Sequence, residues 1–292
     1  GRMGMQIARR VAAAGVPVVG FDPAPHAAAS LRQGGIEAVA SLADLAASLA
    51  APRVIWVMVP AGDATEAVVG GLTSHLAPGD VLVDGGNSHF KDSMRRAAAA
   101  SGRGIGFLDC GTSGGIYGER EGFCLMVGGN PQPVSTVERI FRILAQEGGY
   151  LHVGPSGSGH YTKMIHNAVE YALMEAYGEG FELLAARRDF NIDAGKVARL
   201  WGKGSVVRSW LLELAADALE RDPGLGGIKG YVADTGEGRW AALEAIEQGV
   251  PVPGIQTALM QRQRSRQDDS FSAKLVAALR HEFGGHEVVH EK

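Results

Sequence analysis

Apolar and polar positions change rhythm midway along this chain. In the first half, unbroken apolar runs alternate with stretches whose apolar residues recur every three or four positions. Val54-Ile55-Trp56-Val57-Met58-Val59 and Val81-Leu82-Val83-Asp84 are runs of strand length, the pattern of strands covered on both faces. Pro17 to Phe21, Ile105 to Asp109 and Cys124 to Gly128 read as further strands. Helical spacing predicts helices over 5–14, 24–33, 42–49, 63–72, 92–101 and 133–145, with Gly15 and Gly34 closing the first two. This alternation is the pattern of a doubly wound sheet.

The rhythm shifts at Gly154-Pro155-Ser156-Gly157. From there to Arg188 apolar residues keep helical spacing without a proline, which predicts one long buried helix. Helices near 193–201, 206–219, 237–247, 255–267 and 271–282 follow, and no strand is predicted among them. The expected architecture is an α/β Rossmann-type dinucleotide-binding domain over residues 1–156, then an all-helical substrate-binding and dimerisation domain over 157–292 that begins with the long helix.

Composition narrows the function. Apolar residues make up 46 % of the 292 positions, charged residues 21 %, and the formal net charge is -4. That balance fits a soluble globular protein and offers no polycationic surface for nucleic acid. Two cysteines, Cys110 and Cys124, make no disulfide scaffold and suit a reducing compartment. No run reads as a signal peptide or membrane span, so a cytoplasmic location is expected.

A dinucleotide fingerprint needs a strand, then G-x-G-x-x-G, then a helix. Gly1-Arg2-Met3-Gly4 supplies its last two glycines, and its first strand and first glycine are expected to be missing. Gly1 lets backbone approach a pyrophosphate, Gly4 allows close helix packing, and the helix start points its positive end at the phosphates. Eighteen residues after Gly4, Asp22 ends the second strand, where an acid binds the adenosine ribose hydroxyls of NAD. The same carboxylate repels the extra phosphate of NADP. Asp22 also suits an N-cap for the helix after Pro23.

Three segments carry candidate chemistry. Asp84-Gly85-Gly86-Asn87-Ser88 and Asp109-Cys110-Gly111-Thr112-Ser113-Gly114-Gly115 lie at strand ends, where open α/β sheets bind ligands. Ser113, Gly114 and Gly115 form a loop that offers a hydroxyl and exposed amides to an anion or polyol. On the long helix, Lys163, His166, Asn167, Glu170 and Tyr171 fall broadly on one side. Polar groups gathered on an apolar helix must be paired or line a cavity. Lys163 suits a general base for a secondary alcohol, and later an acid toward an enolate oxygen. Glu170 suits protonation of carbon, while Asn87, Ser113, His166 and Asn167 suit orientation of hydroxyls and carboxylate. No convincing set of metal ligands is present; His286 and His290 lie in a polar tail.

These segments resemble 6-phosphogluconate dehydrogenases. The likeness is carried by Val83-Asp84-Gly85-Gly86-Asn87-Ser88, by Phe107 through Gly115, by Gly159-His160-Tyr161-Thr162-Lys163-Met164-Ile165-His166-Asn167, by Tyr231-Val232-Ala233-Asp234-Thr235-Gly236 through Trp240, and by Phe283-Gly284-Gly285-His286. It runs from Gly1 to His286, and the Lys-Met-x-His-Asn-x-x-Glu-Tyr string separates this family from its 3-hydroxyacid relatives. The length and Asp22 resemble the short, NAD-preferring bacterial branch. The resemblance implies NAD-dependent oxidative decarboxylation of 6-phospho-D-gluconate, with Lys163 as base then acid and Glu170 as acid. It implies cofactor contacts from Gly1, Arg2, Met3, Gly4, Asp22, Val59 and Asn87, and substrate contacts from Asn87, Ser113, Gly114, Gly115, His166 and Asn167. Tyr171 and Arg262 would hold the phosphate. Arg280 and His286 would complete the neighbouring subunit's site in a homodimer or tetramer. No metal, nucleic acid or membrane partner is implied. Two other functions compete: a dehydrogenase of a small unphosphorylated 3-hydroxyacid, which needs no phosphate grip, and a catalytically impaired NAD-binding homologue.

Overall fold

The computed structural model describes residues 1–290. Helix α1 (Arg2–Ala13) leads into two short parallel strands, β1 (Val19–Gly20) and β2 (Glu37–Ala38), which form a sheet of their own around α2 (Pro25–Gln33). After α3 (Leu42–Ala47) comes the main sheet of β3 (Val54–Val57), β4 (Val81–Asp84), β5 (Gly106–Ser113), β6 (Phe123–Gly129) and β7 (Ala145–Gly154), in that spatial order. Between these strands lie α4 (Asp63–Thr73), α5 (Phe90–Ser101), the short α6 (Gly118–Glu121) and α7 (Pro131–Leu144). Strands β3, β4 and β5 are parallel, β6 runs antiparallel to β5, and β7 is parallel to β6.

Alternation along the strands builds a core on each face. Val81, Val83, Leu108 and Cys110 join Ile7 and Val11 of α1 and Val137 and Phe141 of α7. Leu82 and Phe107, one position out of phase, join Leu72 of α4 and Ala100 of α5. Phe141 is fully buried, with its ring 5.8 Å from that of Trp56 and 5.1 Å from that of Tyr150. Truncating such a side chain costs about 3–5 kcal/mol. A cavity of about 560 Å³ is lined by residues of α1, by Val18, Val19 and Phe21, and by Ile55, Val57 and Met58.

Helix α8 (Ser158–Ala186) begins in this first compact unit, Gly1–His166, and continues through the second, Asn167–Lys292. The second unit adds a 3₁₀ turn at Arg188–Phe190, then α9 (Ala194–Trp201), α10 (Trp210–Arg221), α11 (Glu237–Gln248), α12 (Pro253–Arg264) and α13 (Phe271–Gly284). Side chains of Asp193, Ser209 and Ser270 accept backbone N–H groups and start α9, α10 and α13. Ala198, Leu212 and Ala216 pack with Tyr177, Phe181 and Trp201 into a local core. Among the described residues after Gly154 there is no strand, so the Rossmann-like domain followed by helices matches the patterning.

Four details differ from that patterning. The segment from Asp109 to Ser113 is strand rather than loop, because β5 runs on to pair residue by residue with the antiparallel β6. Strand β7 was not expected; it lies at the sheet's edge, carries Gln146, Glu147 and three glycines, and pairs with register shifts. Strand β1 is two residues long where five were expected. The cap of α2 is Ala24 rather than Asp22, whose Oδ1 instead accepts the Ala24 N–H at 2.9 Å.

Candidate active site

One face of β5 and the first turns of α8 build the centre of the site. Odd-numbered residues of β5 point to the face that also carries Phe107, so Gly111 and Ser113 share it. Gly111 lies so close to α8 that a Cβ there would overlap the Lys163 Cβ and sit 3.0 Å from the Gly159 carbonyl oxygen. Only glycine lets the helix settle at this depth. Lys163 is thereby buried to 7 % exposure, with its Nζ 3.3 Å from His166 Nδ1. The other ring nitrogen of His166, Nε2, lies 3.3 Å from Ser113 Oγ. A chain of amine, imidazole and hydroxyl therefore runs from the helix to the strand end. Gly114 and Gly115 follow with φ of 138° and 53°, the left-handed region that turns the chain away.

The second strand-end segment is folded by Asp84, which is 1 % exposed. Its Oδ1 accepts the Gly86 N–H at 3.2 Å, and its Oδ2 accepts Ser88 Oγ–H at 2.8 Å and Arg96 at 3.2 Å. Arg96, itself buried, donates its Nε–H to Glu66 at 2.8 Å. A Cβ at Gly85 would overlap the Trp56 indole. The segment is thus tied inward on both sides of Asn87, which alone between Val81 and Ser88 is exposed.

At the nucleotide end, Gly1 precedes α1 and Gly4 packs on Met58 at 3.4 Å from where its Cβ would lie. Arg2 is exposed, and Met3 packs against the core. Asp22 lies just past β1, with its Oδ1 accepting the Ala24 N–H at 2.9 Å. Val59 follows β3, and its carbonyl oxygen approaches Gly86. Asp22, Gly1 and Gly4 with the start of α1 fit the ribose and pyrophosphate of a dinucleotide.

The second unit carries its own polar cluster. Tyr171 is buried, its ring lies 3.3 Å from the Arg262 guanidinium carbon, and its hydroxyl lies 3.3 Å from Thr235 Oγ1. Arg262 donates to the Ala233 carbonyl at 3.1 Å, and Thr235 Oγ1–H donates to the Glu237 carboxylate at 2.5 Å. Asp234, with its side chain 2 % exposed, accepts the Gly236 N–H and pairs with Arg239 at 3.0 Å and Arg266 at 3.8 Å. Arg262 is the member of the 262, 264 and 266 run that stacks on Tyr171, while Arg264 reaches the Gln267 carbonyl. Asn167 is buried and Glu170 half-buried on α8, and Arg280 and His286 are exposed on and just after α13.

The structure thus brings together Lys163, His166 and Ser113, and separately Tyr171 with Arg262. Sequence reasoning missed the roles of Asp84, Arg96, Asp234 and Thr235 in holding these groups. An aspartate closing an apolar strand and an Asp-Thr-Gly ahead of a helix were the available signals. Among the described residues no cluster of three or more metal-ligating side chains occurs, and no helix is long and apolar enough to cross a membrane.

Comparison with known proteins agrees with this geometry. Residues 1–154 match the NAD binding domain of 6-phosphogluconate dehydrogenase, and residues 159–279 match the 6-phosphogluconate dehydrogenase C-terminal domain. The NAD(+)-dependent, decarboxylating 6-phosphogluconate dehydrogenase of Haloferax volcanii is 50 % identical over 290 residues, covering 99 % of this chain and 96 % of that one. Plasmodium falciparum 6-phosphogluconate dehydrogenase superposes with a TM-score of 0.82 at 24 % identity, over 99 % of this chain and 64 % of that longer one. A 3-hydroxyisobutyrate dehydrogenase of Salmonella typhimurium shares the fold, with a TM-score of 0.75 at 22 % identity over 92 % of both chains. The fold alone is common to both enzyme groups, but both domain matches and the full-length identity fall on one side, and the chain belongs to the 6-phosphogluconate dehydrogenase family.

Proposed function

We propose that the chain catalyses oxidative decarboxylation of 6-phospho-D-gluconate to D-ribulose 5-phosphate and carbon dioxide with reduction of NAD. The observation that carries this reading is the buried Lys163, joined to His166 and through it to Ser113, in a chain half identical throughout to an NAD-dependent decarboxylating enzyme. NAD, when bound, accepts the hydride from C3 of the sugar acid. Asp22 and the start of α1 hold its adenosine and pyrophosphate, with Arg2, Met3 and Val59 beside them. The Asp22 carboxylate repels the 2'-phosphate of NADP, which makes NADP the poorer cofactor.

Lys163, as free amine, takes the C3 hydroxyl proton while hydride leaves the same carbon. The product is a 3-keto acid. Its C1–C2 bond breaks, carbon dioxide departs, and the electron pair flows to the C3 oxygen. Lys163, now an ammonium, donates a proton to that oxygen and stabilises the enediol. Glu170 then protonates the carbon that lost carbon dioxide, and Lys163 takes back the hydroxyl proton as the ketone forms. Ser113, His166, Asn167 and Asn87 orient hydroxyls and carboxylate, with backbone amides of Gly114 and Gly115. Tyr171 and Arg262 grip the phosphate; a guanidinium stacked on an aromatic ring presents its remaining N–H groups in a fixed fork. Arg280 and His286 complete the site of a second copy in a cytoplasmic homodimer or tetramer.

The test is NADH formation with carbon dioxide trapped, using 6-phosphogluconate, gluconate and NADP in parallel. NADH and carbon dioxide in equal amounts, from the phosphorylated acid alone, are expected. NADH from an unphosphorylated 3-hydroxyacid without carbon dioxide would overturn the reading.

A further inference from the structure

Asp109 is fully buried at the point where β5 passes beneath the start of α8. Its Oδ1 accepts the Gly157 N–H at 2.7 Å and its Oδ2 accepts the His160 N–H at 2.9 Å. Gly157 is the residue before the helix and His160 the third within it. In a capping box those two N–H groups are satisfied by the helix's own side chains. Here Gly157 has none to offer, and one carboxylate from a strand 48 residues earlier takes both. Glycines at 128 and 159 make room for it, since a Cβ at Gly128 would press on the Asp109 carboxylate and one at Gly159 on the Asp109 carbonyl oxygen. The His160 ring is fastened too, its Nδ1 lying 2.7 Å from Ser93 Oγ of α5.

This contact is the first rung of a ladder. Asp109, Gly111 and Ser113 lie at every second position of β5 on one face, and they meet His160, Lys163 and His166 at every third position of α8. Gly111 offers only close approach, and Ser113 a single bond at 3.3 Å. Asp109 is the rung that fixes register. A slip of one residue at the helix start would turn each following side chain by about 100° and move it about 1.5 Å along the axis. Lys163 would then leave His166 and Ser113 without its amine.

We infer that Asp109 is a positioning residue for catalysis: by capping α8 from the sheet it sets the rotation and depth at which Lys163 meets the substrate. It touches neither substrate nor cofactor. This inference rests on the assignment of Lys163 as acid–base, and its tests separate the two. In Asp109→Asn, one oxygen keeps one N–H while the amide NH2 faces the other. The kcat for NADH formation from 6-phosphogluconate is expected to fall about 10²-fold, the loss that follows a misplacement of about 1 Å. NAD affinity should hold, and the kcat–pH profile should move, because the surroundings of the Lys163 amine change. Val137→Ala, a core truncation on the opposite face of the sheet, serves as control for lost stability. It should melt earlier with an unmoved profile. Hydrogen exchange on the wild-type protein gives a measurement that needs no variant to fold: the Gly157 and His160 amides should be as protected as those within β5. Fast exchange at those two amides, or an Asp109→Asn enzyme with wild-type kcat and profile, overturns the inference. A wild-type enzyme silent toward 6-phosphogluconate would sink the functional reading, while the exchange result would still judge the cap.

Discussion

Gly111→Ala puts one methyl group at the closest approach of strand and helix. The residue has ordinary strand geometry, since its φ is not among the positive ones, so the whole effect is steric. The new methyl would overlap the Lys163 Cβ and lie 3.0 Å from the Gly159 carbonyl oxygen and 3.1 Å from Lys163 Cγ. Carbon contacts relax at about 3.5–4.0 Å, so α8 must lift by about 1 Å. Overpacking of this kind costs about 1–3 kcal/mol, read as a lower urea midpoint. Catalysis should suffer more than folding, because a shift of about 1 Å at a reacting group costs about 10²-fold in kcat, or about 2.7 kcal/mol. Gly70→Ala in α4, where a Cβ meets nothing within 4 Å, is the matched control. It should leave kcat unchanged and stabilise by up to about 1 kcal/mol through helix propensity. A Gly111→Ala enzyme with the kcat and urea midpoint of the wild type would show that the approach of α8 to β5 is not tight in solution, and the reasoning would fail.

Other consequences are open to direct test. Arg262→Met removes charge-assisted bonds worth about 1.5–3 kcal/mol, so KM for 6-phosphogluconate should rise about 10–150-fold; an unaltered KM would place the phosphate elsewhere. Burial pushes the Cys110 thiol far above its usual range, while Cys124 is exposed. Iodoacetamide at neutral pH should label Cys124 in the native protein and Cys110 only after denaturation, as peptide mass spectrometry would read. Glu66 is held below its ordinary 4.5, first by the Arg95 hydrogen bond and also by Arg96. Its contribution is complete above the unfolded value and is lost as pH falls through the lower folded one. Glu66→Gln should therefore flatten the loss of stability below about pH 4.5; an unchanged acid limb would remove Glu66 from the account.

Much of this arrangement is legible in the order of residues. The run Val81-Leu82-Val83-Asp84 marks β4 to the residue, because a largely β-branched apolar run that short, bounded by Gly79 and by Asp84-Gly85, suits a strand covered on both faces and not a helix. The long helix was readable from its unbroken spacing and absence of proline. On its first turns the spacing of Lys163 and His166 put amine and imidazole within reach. What stayed hidden was tertiary. The turn from loop to strand at Asp109 to Ser113 depends on β6, a partner whose position no local pattern reveals. Strand β7 is made by edge pairing and not by its own polar composition. Asp109 and Asp84 looked like ordinary strand-end acids, since Gly157, held by the first, and Arg96, held by the second, lie 48 and 12 residues away. The stacking of Arg262 rather than Arg264 or Arg266 on Tyr171 follows from the helix–loop packing of the second unit, which spacing alone could not choose.

The antiparallel pairing of β5 with β6 gives the site a backing. Gly111 and Ser113 stand opposite Met126 and Cys124 in one ladder, so the hydroxyl that meets His166 is carried by a strand tied to its neighbour and not by a free loop. A disturbance of β6 would travel along that shared rail to the foot of α8.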